Sequence, residues 1–230
     1  AEIREVPHIN GRHDLDGMLR QIDADTGIVW ICSPNNPTGE YIRGKELLLF
    51  LSQVPNDVLV VFDAAYYEYV TAIDYPEILP LINQFDNLIL LHTFSKIYGM
   101  AALRIGYGVA NSDIIRMLEP AREPFNVNAL AQKAAIAAIS DQQFIEECKQ
   151  KNRDGLQQYY EFCKIHNLSY YPSQANFILI DTGHDGDEVF QYLMRKGFIV
   201  RSGQALGFPT SIRITVGSDQ QNEAVLKELK

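Results

Sequence analysis

Short apolar runs alternate with amphipathic stretches through the first half of the chain. Three runs are apolar at nearly every position, which is typical of strands that helices cover on both faces of a parallel sheet. They lie at residues 27–32, 58–62 and 88–91. Apolar residues three and four positions apart predict helices at residues 14–22, 44–53 and around 75–83. This order predicts an α/β fold, a three-layer, mostly parallel sheet with helices on both faces, with Trp30 in its core.

The pattern changes in the second half. A strand is predicted at residues 104–110, then an alanine-rich helix at 128–139 and one long helix at 141–166. Short strands alternating with helices follow, with strands at 176–180, 198–201 and 212–216 and helices at 187–195 and from 219. We therefore predict a large domain at residues 1–150 and a small C-terminal α+β domain at 151–230. Residues 1–6 look like a strand from the middle of a domain, so we expect the large domain to lack an N-terminal portion.

The composition of the chain argues against several classes of binding partner. The net charge of −9 at pH 7 argues against nucleic acid. The apolar runs are too short to span a bilayer, and the acidic start does not resemble a signal peptide. Three widely spaced cysteines fit reduced thiols, and the five histidines show no metal-ligand spacing. We expect a cytoplasmic protein with no membrane, nucleic-acid or metal partner.

Three polar elements follow predicted strands, where open α/β sheets place their ligands, and a fourth leads into the strand predicted at residues 104–110. The first is SPNNPTG at residues 33–39, which composition alone would explain as a turn. The second is Asp63 with Tyr66; an acid at a strand end could be a ribose contact, a metal ligand or a helix cap, and by itself it favours a functional role no more than a cap. The third, TFSK at residues 93–96, offers two hydroxyls and Lys96 to a phosphate, although a surface lysine is the simpler reading. Arg104, the fourth, suits a phosphate through its forked geometry.

Taken in order, these elements resemble the cofactor site of the fold type I aminotransferases (class I and II), over essentially the whole chain. The resemblance implies pyridoxal 5′-phosphate as cofactor, bound by the large domain, with Lys96 carrying it as a Schiff base and moving the substrate proton. It implies that Asp63 pairs with the pyridine nitrogen and that Asn36 and Tyr66 hydrogen-bond the phenolic oxygen. By the same resemblance, Thr93, Ser95 and Arg104 hold the phosphate, and Arg213 binds the substrate carboxylate. The family works as a homodimer, which we therefore expect here.

Within the family, several stretches resemble the histidinol-phosphate aminotransferases. They are residues 33–39, 93–99, 103–107, 124–126, 175–177 and 206–209. The resemblance implies transfer of the amino group from L-histidinol phosphate to 2-oxoglutarate in histidine biosynthesis, with Arg201 gripping the substrate phosphate. A surface ion pair is the alternative for Arg201. The alternatives for the chain are an aromatic amino-acid aminotransferase, a threonine-phosphate decarboxylase, or a fragment that keeps the fold without turnover.

Overall fold

Two compact units make up residues 1–230, all of which the computed structural model describes. The first unit comprises Ala1–Pro34 and Tyr41–Gln142, and the second comprises Asn35–Glu40 and Gln143–Lys230. The division expected near residue 150 falls inside a long helix, α6 (Gln142–His166), nearly all of which belongs to the second unit.

A four-stranded sheet organises the first unit. Its strands are β1 (Ile28–Cys32), β2 (Leu59–Asp63), β3 (Leu88–Thr93) and β4 (Gly106–Ala110), adjacent in that order. β1, β2 and β3 are parallel, whereas β4 runs antiparallel to β3. The connection between β3 and β4 contains only a 3₁₀ turn at Ala101–Leu103, whereas a parallel crossover usually runs through an α-helix. The sheet is therefore mostly parallel, as predicted, with one antiparallel edge.

Five helices belong to this unit: α1 (Leu15–Gln21), α2 (Gly44–Leu51), α3 (Leu79–Ile82), α4 (Ser112–Leu118) and α5 (Ala129–Ser140). Asp14 caps α1 by accepting a hydrogen bond from the backbone N–H of Gly17. The helix expected around residues 75–83 is reduced to the single turn of α3. Pro76 disfavours helical backbone at Tyr75, so the helix begins later than the periodicity suggests.

Helices cover both faces of the sheet, which confirms the three-layer prediction. On one face, α1, α2 and α3 pack against the apolar side chains of β1, β2 and β3. On the other, Ile114 of α4 packs against Val61 and Ile89. That contact does not extend to the edge strand β1, and Trp30 is consequently 55% exposed. The prediction that Trp30 lies in the core is wrong for this reason.

The second unit is a small α+β arrangement. Its strands β5 (Ser169–Tyr170), β6 (Phe177–Asp181), β7 (Arg201–Ser202) and β8 (Ser211–Thr215) form an antiparallel sheet in the order β5-β6-β8-β7. α6, α7 (Gly186–Arg195) and α8 (Asp219–Glu228) pack against it. The strand predicted at 198–201 is shorter and later than expected, and β5 was not predicted. No helix in residues 1–230 is both long enough and apolar enough to cross a membrane.

Candidate active site

Adjacent parallel strands of the first unit end in polar residues. Asp63 is the last residue of β2, and Thr93 is the last residue of β3. Register places Asp63 opposite Leu91, two residues before Thr93, so alternation puts both polar side chains on the same face of the sheet. The carboxyl ends of these strands therefore present an acid and a hydroxyl together, at the edge where open α/β sheets bind ligands.

Burial and a nearby cation act on Asp63 in opposite directions. Its Oδ1 accepts a hydrogen bond from the backbone N–H of Ala65 at 3.0 Å. Burial raises the pKa of the Asp63 carboxyl, and the Ala65 N–H and the charge of Lys96 offset part of that rise. A second cation placed against Asp63 would favour its ionised form further.

Lys96 lies beside Tyr66. Its Nζ is 5.2 Å from the centroid of the Tyr66 ring, within the range of a cation–π contact. Tyr66 is 5% exposed and follows β2, so its ring is a buried platform for the ammonium group. The turn that carries Lys96 is held in part by Thr93, whose Oγ1 accepts a hydrogen bond from the Ser95 N–H at 3.0 Å.

Arg104 reaches back to the same turn. Its Nη1 donates to Ser95 Oγ at 3.5 Å and to the carbonyl oxygen of Ala101 at 2.8 Å. Arg104 ends the 3₁₀ turn with φ 52°, in the left-handed region, rather than beginning β4 as the sequence predicted. This backbone conformation, uncommon for a residue with a side chain, directs the guanidinium towards the TFSK turn.

The first unit thus brings together six predicted site residues: Asp63, Tyr66, Thr93, Ser95, Lys96 and Arg104. A primary amine, an acid, a phenol, two aliphatic hydroxyls and a guanidinium occur on one sheet edge and its following turns. Such a set can attach a carbonyl compound through the amine and hold a phosphate through the hydroxyl and guanidinium donors.

The remaining three predicted residues belong to the second unit. Asn36 is exposed, and its Oδ1 accepts a hydrogen bond from Nη1 of Arg213. Its neighbour Asn35 is 3% exposed and donates from Nδ2 to Thr38 Oγ1 at 3.0 Å. The SPNNPTG loop is therefore held internally by Asn35 and Thr38, and it presents Asn36 to Arg213.

Arg213 and Arg201 lie directly opposite each other across β7 and β8. Like charges at opposed positions of an antiparallel pair are destabilising unless an anion lies between them. The guanidinium of Arg213 also lies over the ring of Phe177, 4.9 Å from its centroid, which fixes its plane. The second unit therefore contains a dicationic position suited to a phosphate or carboxylate.

Phe177 is a site residue that the sequence analysis missed. It was assigned to a strand and to the stretch 175–177 that resembles the family, but it was given no role of its own, because an aromatic residue in an apolar run carries no local sign of a charged partner. The contact with Arg213 depends on the pairing of β6 with β8, in which Phe177 is opposite Thr215. Only the register of these strands, which no local motif specifies, could have identified it.

Known proteins match this chain along nearly its full length. Residues 1–229 match the family described as aminotransferase class I and II. The histidinol-phosphate aminotransferase of Geobacillus sp. (strain WCH70) is 62% identical over 229 residues, which are 100% of this chain and 63% of that protein. The enzyme of the same name from Bacillus subtilis (strain 168) is 61% identical over 227 residues, covering 98% of this chain and 63% of that protein.

Solved structures of the same family have a similar fold. The histidinol-phosphate aminotransferase of Sinorhizobium meliloti, in complex with pyridoxal-5′-phosphate, superposes with a TM-score of 0.90 at 29% identity. The match covers 99% of this chain and 63% of that one. The chain therefore spans slightly less than two thirds of the length of these relatives.

Proposed function

The chain belongs to the class I and II aminotransferases, and from that premise we propose that it is the greater part of a pyridoxal-phosphate-dependent aminotransferase. We propose L-histidinol phosphate as amino donor and 2-oxoglutarate as acceptor, giving imidazole acetol phosphate and L-glutamate, a step of histidine biosynthesis. The relatives at about 60% identity, all named histidinol-phosphate aminotransferase, support this choice. The structural observation that supports a phosphorylated substrate is the pair of opposed arginines, Arg201 and Arg213.

The residues of the first unit suit pyridoxal phosphate. Its aldehyde needs a primary amine, its ring nitrogen an acid, and its phosphate a set of donors. Lys96 supplies the amine, Asp63 the acid, and Thr93, Ser95 and Arg104 the donors, with Arg104 already within reach of the Ser95 hydroxyl. When bound, the cofactor would supply an electron sink for the electrons released at the substrate Cα.

Lys96 and Asp63 would do the central work. Lys96 would attach the cofactor and, once displaced by the substrate amine, its Nζ would take the proton from the substrate Cα and return it at the end of the exchange. Burial opposes ionisation of Asp63, so a cationic partner would stabilise the ionised form of this carboxyl. A protonated ring nitrogen is such a partner, and Asp63 would hold the proton there.

Asn36 and Tyr66 would orient the ring by hydrogen bonds to its phenolic oxygen. In the second unit, Arg201 would bind the substrate phosphate. Arg213 would bind the carboxylate of glutamate or 2-oxoglutarate, and its charge would also act on the phosphate from the opposite strand.

We further propose that residues 1–150 form the cofactor-binding domain and residues 151–230 the small domain, and that the protein works as a homodimer. Family resemblance supports both. The dimer is tested by sedimentation equilibrium of the purified chain, and a monomer at every concentration would contradict it.

The cofactor site is tested by mixing the purified chain with pyridoxal phosphate, recording the visible absorbance, reducing with borohydride and locating the modified peptide. We expect a bound chromophore trapped on Lys96 and no trapping in Lys96→Ala. Exposed Lys45 provides a matched control, because Lys45→Ala should leave the trapping unchanged. Trapping elsewhere, or none, would remove the assignment of Lys96.

Substrate choice is tested by following glutamate formed from L-histidinol phosphate and 2-oxoglutarate. Arg201→Ala should lower kcat/KM for the phosphorylated amine at least tenfold more than for its unphosphorylated counterpart, because a phosphate contact adds about 1.5–3 kcal/mol. Exposed Arg195 lies in the same unit, and Arg195→Ala should leave the ratio unchanged.

Three other results would each point elsewhere. Unchanged selectivity in Arg201→Ala would favour an aromatic amino-acid aminotransferase. Release of carbon dioxide from threonine phosphate would indicate the decarboxylase. Cofactor binding without turnover would mean that the chain as given keeps the fold and lacks the activity.

A further inference from the structure

A buried acid and a buried histidine face each other in the first unit, outside the residues assigned above. Glu68 lies in the 3₁₀ turn Tyr67–Tyr69, and His92 is the penultimate residue of β3. Their side chains are 12% and 9% exposed, and Glu68 Oε1 is 3.9 Å from Nδ1 of His92. This separation is within ion-pair range and beyond hydrogen-bond length.

The imidazole of His92 has no other partner for that nitrogen. Nδ1 of His92 is buried and makes no hydrogen bond. Aromatic rings confine it: Tyr107 stacks on it with centroids 5.2 Å apart, and Tyr67 meets it edge-on at 5.4 Å. A buried polar atom without a partner costs free energy, and the facing carboxyl is the group that can satisfy it.

The surroundings of Glu68 disfavour an isolated charge. Burial raises the pKa of the Glu68 carboxyl to about 7, and the hydrogen bond that favours its ionised form comes from its own backbone N–H. Burial lowers the pKa of His92. Each group alone therefore tends towards its neutral form near pH 7.

Tyrosines close the rest of the cluster. Burial, and then the charge of Glu68, raise the pKa of Tyr98, to about 12, and of Tyr107. The pKa of Tyr75 is also raised, chiefly by burial. The ring of Tyr67 contacts the rings of both His92 and Tyr75, and it thereby completes the lining of the cluster. With their pKa values raised, Tyr75, Tyr98 and Tyr107 stay protonated near neutrality, so the proton that neutralises the cluster resides on Glu68 or on His92.

We propose that Glu68 and His92 form a positioning pair that shares one proton and ties the turn after Tyr66 to the end of β3 before Thr93. Glu68 follows Tyr66 by two residues, and His92 directly precedes Thr93. The proton moves from Glu68 Oε1 to Nδ1 of His92, converting a carboxylic acid and a neutral imidazole into a carboxylate and an imidazolium. No other reactant is needed. That Tyr66 and Thr93 serve a cofactor rests on the proposed function, whereas the pair itself does not.

The first test follows the histidine side chains by nitrogen-15 NMR between about pH 5 and 9, a range that spans ordinary imidazole titration. The His92 signal is assigned by its loss in His92→Gln. In Glu68→Gln, which is isosteric, the proton affinity of His92 should fall at least tenfold, since an opposite charge at about 4 Å shifts a pKa by 1–3 units. Glu77 is exposed in the same unit, and Glu77→Gln should leave His92 unchanged. An unchanged titration of His92 in Glu68→Gln would overturn the pair.

The second test asks whether the pair positions its neighbours. In the wild-type chain without cofactor, the backbone amide signals of Tyr66 and Thr93 should titrate with the same midpoint as His92. In Glu68→Gln the Tyr66 response should vanish, because the turn that carries it no longer exchanges a proton with His92, whereas the Thr93 amide, next to His92 in the chain, should follow the lower midpoint of His92. Amides that do not follow His92 would overturn the positioning role even if the pair shares a proton. Because this measurement uses the wild-type chain, it decides the matter even if a variant fails to fold.

Cofactor affinity separates this inference from the proposed function. Glu68→Gln should raise the Kd for pyridoxal phosphate about tenfold, the lower range for loss of a group that orients a ligand-binding residue. An unchanged Kd would remove the link to the cofactor. If the wild-type chain binds no pyridoxal phosphate, the proposed function fails, and the histidine and amide titrations still decide whether the pair exists.

Discussion

Replacing Gly39 by alanine should destabilise the second unit more than the same change at another glycine of similar backbone conformation. Gly39 ends the SPNNPTG loop with φ 77°, in the left-handed region. A Cβ added there would lie 2.0 Å from Ser173 Oγ, 2.6 Å from its Cβ and 2.9 Å from its Cα. The last contact is with backbone, so turning the Ser173 side chain cannot relieve it. Gly183 has φ 69° in the same unit, and a Cβ there would meet nothing within 4 Å.

The magnitude follows from separating strain from overlap. Left-handed backbone costs an alanine about 1–2 kcal/mol, and this applies to both glycines. Overlap with a packed neighbour adds about 1–3 kcal/mol, and it applies to Gly39 alone. We therefore expect Gly183→Ala to lower the free energy of unfolding by about 1 kcal/mol, and Gly39→Ala by about 3 kcal/mol.

Thermal unfolding followed by circular dichroism measures the difference. At about 2–4 °C per kcal/mol for a chain of this size, Gly39→Ala should lower the Tm by about 6–12 °C and Gly183→Ala by about 2–4 °C. Equal losses in the two variants would refute the close approach of Gly39 to Ser173, since strain alone would then account for both. Gly39→Ala should also weaken pyridoxal phosphate binding if Asn36, three residues earlier in the loop, contacts the cofactor as proposed.

Three further predictions concern stability. Burial lowers the pKa of His13 from 6.5 to about 4, so the unfolded chain binds a proton that the folded chain excludes. Stability should fall as the pH decreases from 6.5 to 4, and His13→Gln should reduce this slope in urea titrations. Tyr159→Phe removes a buried hydrogen bond from the tyrosine hydroxyl to Asn222 Oδ1 and should cost about 1–2 kcal/mol by chemical denaturation, and no loss would contradict that contribution. Asn128 caps α5 through the Ala131 N–H, and Asn128→Ala should cost about 1 kcal/mol, with an unchanged urea midpoint as the contrary result.

Local pattern was sufficient for much of the fold. The parallel strands β1, β2 and β3 and the long helix α6 were predicted within one or two residues, because apolar runs and helical periodicity are properties of consecutive residues. The order of the polar elements along the chain could also be recognised from the sequence. The structure brings six of the nine predicted site residues together in one unit. Their roles with a cofactor stay predictions.

Other features were decided only by contacts between residues far apart in the sequence. Trp30 is exposed because α4 does not reach the edge strand, and an apolar run cannot report which strand lies at an edge. Arg201 faces Arg213 because β7 and β8 pair in one register, and a shift by one residue would send either side chain to the other face. No residue next to His92 in the sequence indicates its partner, since Glu68 lies on another element. Periodicity specifies which elements form, whereas register and packing, which depend on the whole chain, specify which side chains meet.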